Sequence, residues 1–126
     1  MHQVIEKCIL SDLELLNDTV GDILVSISDD ITVDVLFNIK IILNELIING
    51  IKHGNCCNKD KKVYIKLIID DKFFDITVKD EGAGFKYCKN LSPCEYMECG
   101  RGLLIVEGLS DSFCVNKNAV ICRKYF

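Results

Sequence analysis

The stretch Val63-Tyr64-Ile65-Lys66-Leu67-Ile68-Ile69-Asp70-Asp71-Lys72-Phe73-Phe74-Asp75-Ile76-Thr77-Val78-Lys79 decides the fold. Residues 63–69 and 73–79 are rich in β-branched and aromatic side chains. Such residues fit a pleated, half-buried surface, and the polar Asp70-Asp71-Lys72 between them reads as a tight turn. The segment is therefore predicted to be a β-hairpin. Upstream the spacing changes. Leu13, Leu16, Val20, Ile23, Leu24 and Ile27 recur at helical intervals over residues 12–28, with Ser11 or Asp12 as N-cap. Asp29-Asp30 interrupts them. A second helical pattern runs from Thr32 to His53 through Val35, Leu36, Ile39, Ile42, Leu43, Leu46 and Ile47, with Gly54-Asn55 as its stop. Downstream, residues 82–100 read as a long loop and Gly102–Ser110 as a short helix. Phe113–Val115 and Ala119–Phe126 read as a second hairpin turning at Asn116-Lys117-Asn118. Helix, helix, strand, strand, loop, helix, strand, strand predicts an α+β two-layer sandwich, a mostly antiparallel sheet covered by helices on one face.

Composition narrows the class. The 126 residues fit one domain, and 49% hydrophobic with 27% charged residues is globular. A net charge of −4 argues against direct nucleic-acid binding through phosphate neutralisation. No run approaches 18 apolar residues, so no membrane span is expected. The eight Cys raise the question of a disulfide scaffold. The N-terminus lacks a basic region, and Glu6, Asp12 and Glu14 fall where a leader would be apolar. A reducing cytoplasm is expected, with free thiols that are mostly small buried hydrophobes. Cys88, Cys94 and Cys99, or His53 with Cys56 and Cys57, lack the regular spacing of a zinc site.

Three segments carry candidate chemistry. Glu45 and Asn49 are four residues apart on the second helix, and Lys52 continues their face. A carboxylate on so apolar a helix is expensive to bury unless it is paired or functional. Spacing alone fits better the solvated stripe that amphipathic helices normally carry. Asp80-Glu81-Gly82-Ala83-Gly84 follows a strand, where the two glycines permit a tight turn and close approach of a ligand. By itself it also fits an ordinary turn. Gly100-Arg101-Gly102 opens the third helix, where backbone N–H groups and a forked cation suit an anion. By itself it also fits an exposed helix start.

Together, in this order, the segments resemble the GHKL ATPases (gyrase, Hsp90, histidine kinase, MutL), and in particular the small bacterial anti-sigma factor serine/threonine kinases. Residues 44–54 are similar to that family's first box, 78–85 to its second and 100–106 to its third. The resemblance covers nearly the whole chain and implies a single Bergerat/GHKL ATP-binding domain, residues 1–126. It implies ATP and Mg²⁺ as cofactors. Asn49 matches the ligand of Mg²⁺ and Glu45 the general base toward the attacking hydroxyl. Asp80 matches the acceptor of the adenine amino group, and Gly82 and Gly84 the turn against the adenine. Gly100 and Gly102 match the phosphate cradle. Arg101 sits where a phosphate contact is expected, and Lys52 is placed to reach a phosphate. His53 is expected to hydrogen-bond structurally. The stretch Phe85–Cys99 is short for an ATP lid. The implied function is an anti-sigma factor and kinase that phosphorylates a STAS-type anti-anti-sigma protein, sequesters a sigma factor and forms a homodimer. The alternative is an ATP-binding partner-switching module without phosphotransfer. A histidine kinase fits less well, because no phospho-accepting hairpin is evident and His53 lies inside the first box.

Overall fold

The computed structural model describes residues 2–27, 29–82 and 99–126. Five strands form one sheet in the order β1-β2-β3-β5-β4, and every neighbouring pair is antiparallel. The strands are β1 (Gln3–Leu10), β2 (Lys62–Ile69), β3 (Phe73–Lys79), β4 (Ser112–Asn116) and β5 (Ala119–Tyr125). The helices are α1 (Leu16–Ser26), α2 (Val33–Asn49) and α3 (Cys99–Leu109). The predicted class, a two-layer α+β sandwich, is the one observed.

Alternation along the strands explains the layering. In β2, Val63, Ile65, Leu67 and Ile69 are buried; in β3, Phe74, Ile76 and Val78; in β5, Val120 and Cys122. The registers Leu67↔Ile76, Ile76↔Cys122 and Val78↔Val120 put these on one face. Helix residues Val20, Ile23, Ile39, Ile42, Leu43, Leu46, Ile47, Leu103 and Val106 join them in one core. Among the described residues no helix packs on the opposite face, which is managed by charge. There Arg123 donates twice to Asp75 (2.6 and 2.8 Å) and lies over the Phe73 ring.

The hairpin and the interior of both long helices lie where the sequence predicts them. Four differences are physical. Strand β1 was not predicted: its alternation places Lys7 among Ile5 and Ile9 on the helix-facing side, so no two-residue period stands out. Asp12, not Ser11, is the N-cap, and it caps a short 3₁₀ turn (Leu13–Leu15) ahead of α1 by accepting from the Glu14 N–H at 3.0 Å. The second helix leaves α geometry after Asn49 and continues as a π-helical turn, Gly50–Gly54. The third helix begins at Cys99 rather than Gly102, so Gly100 and Arg101 lie inside its first turn rather than before it.

The cysteines need a further correction. Cys8, Cys56, Cys57, Cys114 and Cys122 are free thiols, but only Cys122 of these five is buried. Cys8 and Cys114 alternate onto the sheet face opposite the helices. Cys56 and Cys57 follow the π turn with left-handed backbone (φ 53° and 57°). Burial pushes the Cys122 thiol up to about 11. Cys88 and Cys94 lie outside the described residues.

Candidate nucleotide site

The site lies where the C-terminal end of α2, the end of β3 and the start of α3 meet. Glu45 and Asn49 share a face of α2, as four-residue spacing requires. Asn49 is 4% exposed, and its Oδ1 is, among the described residues, the buried side-chain polar atom without a hydrogen-bond partner. Buried acceptors are normally paired, so an orphaned one calls for an explanation. An amide oxygen is an ordinary ligand for a hard cation such as Mg²⁺, so this atom fits the ion that the family resemblance implies. Among the described residues no group of three or more His, Cys, Asp or Glu side chains gathers as an all-protein cage. Mg²⁺ is commonly held by one or two protein oxygens plus substrate phosphates, which does not need such a cage.

Glu45 is half-buried and faces α3. A Cβ added at Gly102 would stand 2.7 Å from Glu45 Oε2, so the carboxylate rests against this glycine. The first and third boxes are thus in contact, and Gly102 leaves room for the Glu45 side chain. The first turn of α3 also holds Gly100 and Arg101. N–H groups in the first turn of a helix have no carbonyl partner within it, which suits them to anions.

Asp80 follows β3 and is 3% exposed. Its backbone is tied to the β4–β5 turn: its N–H donates to the Asn118 carbonyl at 3.0 Å, and the Asn118 side chain donates back to the Asp80 carbonyl. Its carboxylate accepts the Gly82 N–H at 2.7 Å. Burial raises the Asp80 carboxyl above the usual carboxylate range, while the Gly82 N–H and the charge of Lys61 oppose the shift. Two glycines make a close approach around Asp80 possible. A Cβ at Gly54 would fall on the Asp80 carboxylate, and one at Gly82 on the Gly54 carbonyl. The π turn and the Asp80 loop therefore approach backbone to backbone. π turns recur at functional sites because they re-aim the residues around them.

Of the candidate residues, Glu45 and Gly102 are brought together at one junction, and Asp80 with Gly82 at the other. Asn49 lies between them on α2, before the π turn. Lys52 is exposed on that turn, and His53 is half-buried beside it. Gly84 lies outside the described residues. Sequence reasoning missed Gly54 and Asn55 as parts of the site. Gly54-Asn55 read as a helix stop, although Gly54 ends the segment that resembles the first box. Nothing local marked Asn55, whose partners are remote in sequence.

The histidine kinase-like ATPase domain matches residues 11–124. The chain belongs to this family. Its sequence is similar to three curated relatives named anti-sigma F factor. That of Oceanobacillus iheyensis is 35% identical over 89 residues, 66% of this chain and 61% of the relative. That of Geobacillus sp. is 30% identical over 107 residues, 77% of this chain and 73% of the relative. That of Bacillus subtilis is 30% identical over 95 residues, 71% of this chain and 65% of the relative. Alignment with the first and third of these relatives thus spans less than two thirds of their length. Among the described residues, no helix of this family member is long and apolar enough to cross a membrane.

Proposed function

We propose that this chain is a single-domain Mg-ATP-binding anti-sigma factor and protein serine/threonine kinase. It phosphorylates a STAS-type anti-anti-sigma protein and sequesters a sigma factor. The observation that carries the nucleotide reading is the orphaned, buried Oδ1 of Asn49, one helical turn from Glu45. Membership of the histidine kinase-like ATPase family and similarity to anti-sigma F factors support the regulatory reading.

Each residue then has a task. Asp80, buried at the end of β3, accepts the adenine amino group, with Gly82 lying against the base. Asn49 holds Mg²⁺, and the first turn of α3 (Gly100, Arg101, Gly102) cradles the phosphates together with Lys52. When bound, the ion neutralises phosphate charge and orients the transferred group. Glu45 takes the proton from the partner's serine or threonine hydroxyl as its oxygen bonds to the γ-phosphorus and the bond to the ADP oxygen breaks. Catalysis rests on positioning and charge neutralisation, as in other phosphoryl transfers. A cytoplasmic location and a homodimer belong to the same reading.

The test is a mixture of the protein, Mg-ATP and a STAS-type anti-anti-sigma protein, read by intact mass for an added phosphate. Transfer by wild type supports the kinase. Glu45→Ala should bind ATP and lose transfer. Unchanged transfer by this variant removes Glu45 as the base. ATP binding without transfer by wild type leaves the partner-switching module in its place.

A further inference from the structure

We infer that Asn55 is a positioning residue that aims the Asp80 carboxylate at the nucleotide base and so sets the preference for adenine over guanine. The inference rests on the nucleotide reading above and names what makes it selective. Asn55 is 1% exposed, and every polar atom of its side chain is used. Its Nδ2 donates to Ser11 Oγ at 2.8 Å and to the Lys62 carbonyl at 2.9 Å. Its Oδ1 accepts the Glu81 N–H at 2.8 Å. Its own N–H donates to the Gly50 carbonyl at 2.8 Å, which closes the π turn.

Glu81 directly follows Asp80. Its N–H is therefore the handle by which Asn55 fixes the direction in which the chain leaves β3. The Glu81 carboxylate accepts the Lys62 N–H, which ties the same loop to the start of β2. The hydroxyl of Ser11 donates to the Lys61 carbonyl at 2.7 Å, so it presents a lone pair to Asn55. One amide thus joins three places remote in sequence: the exit of β1, the entry of β2 and the exit of β3. It does so one residue from Gly54, whose Cα lies against the Asp80 carboxylate.

The selectivity follows from donor and acceptor types. Adenine offers an exocyclic amino donor where guanine carries a carbonyl acceptor. A carboxylate only accepts, so an Asp80 held in one direction favours adenine and repels guanine. A loosened Asp80 loses that discrimination, because a misdirected carboxylate meets either base through water. Binding sites built on fixed polar groups discriminate more strongly than sites built on shape alone.

The test compares wild type with Asn55→Ala by titration calorimetry against Mg-ATP and Mg-GTP, and by amide hydrogen exchange. The variant should bind ATP about tenfold more weakly and show an ATP-over-GTP ratio at least about threefold smaller. The Glu81 and Gly82 amides should exchange at least about tenfold faster while those in the middle of β3 keep their protection. A folded Asn55→Ala protein with ATP affinity and base preference within about twofold of wild type overturns the inference. Should Asn55→Ala not fold, Ser11→Ala carries the comparison, because it removes the acceptor that orients the amide. The ratio should fall about twofold to threefold, and an unchanged ratio overturns the inference. A purely structural role would lower stability in both variants without moving the ratio. A wild type without ATP affinity overturns the nucleotide reading and this role together. Unchanged variants of an ATP-binding wild type overturn this role alone.

Discussion

Asn49 and Asn55 are the same residue type, six positions apart, with 4% and 1% exposure. Their hydrogen-bond accounts are opposite. Asn55 spends its whole amide on Ser11, Lys62 and Glu81. Asn49 keeps a buried oxygen with no partner. Between them the α-helix gives way to a π turn. The difference teaches how to tell a buried polar group that holds the fold from one that waits for a ligand. Burial does not separate them; the unspent lone pair does.

Substitutions should break this pair apart. The largest effect is expected at Asn55. Asn55→Ala deletes three side-chain hydrogen bonds and leaves the Glu81 N–H without its acceptor, which should cost about 2–4 kcal/mol in urea denaturation. Asn49→Ala removes an oxygen that has no hydrogen-bond partner among the described residues, so it should cost less than about 1 kcal/mol. Its effect should fall instead on Mg-ATP affinity, by about 10–100-fold in calorimetry, the range for disturbing a metal site. If Asn49→Ala were the more destabilising of the two, the comparison would fail. Gly102→Ala sharpens it at the other end of the site. Its methyl would stand 2.7 Å from Glu45 Oε2 and must push that carboxylate aside. Phosphotransfer should then drop about tenfold with ATP affinity held within about threefold, as expected when positioning of a base is lost.

Much of this was legible in the sequence, and the reason is locality. The β2–β3 hairpin announces itself through short-range alternation around Asp70-Asp71-Lys72. Glu45 and Asn49 share a helix face by their four-residue spacing. What escaped depends on partners far along the chain. Strand β1 carries Lys7 on its inner face and becomes a strand by pairing with β2, Gln3 against Ile69 through Leu10 against Lys62. Asn55 finds its partners 44 residues upstream and 26 downstream. The π turn has no residue signature of its own, and α3 starts at Cys99, three residues ahead of its expected start at Gly102. The burial of the thiols was misjudged for a related reason. Which face of a sheet a Cys meets depends on register, and Cys8 and Cys114 fall on the exposed side opposite the helices.

Asp80 offers the smallest and most diagnostic test. Burial raises its carboxyl above the ordinary value, so ionisation costs folded stability at neutral pH. Stability from this group is lost as pH rises from the ordinary carboxylate value through the raised one, and is recovered on acidification. Asp80→Asn keeps an acceptor for the Gly82 N–H and removes the charge. It should therefore melt slightly higher than wild type at neutral pH, and the advantage should vanish as the pH is lowered toward 4. On the proposed nucleotide reading, the same substitution replaces a pure acceptor with an amide facing the adenine amino group and should weaken ATP binding. Melting curves across pH, paired with calorimetry, check both signs.

The central claim is that the unspent oxygen of Asn49 is there for the metal-bound nucleotide. The most direct measurement is ATP titration of wild type and Asn49→Ala, each with Mg²⁺ and with a chelator. The account predicts tight binding for wild type with Mg²⁺, much weaker binding when the metal is chelated, and a variant that is folded, weak and insensitive to Mg²⁺. Equal affinities for both proteins, with the same dependence on Mg²⁺, would contradict it.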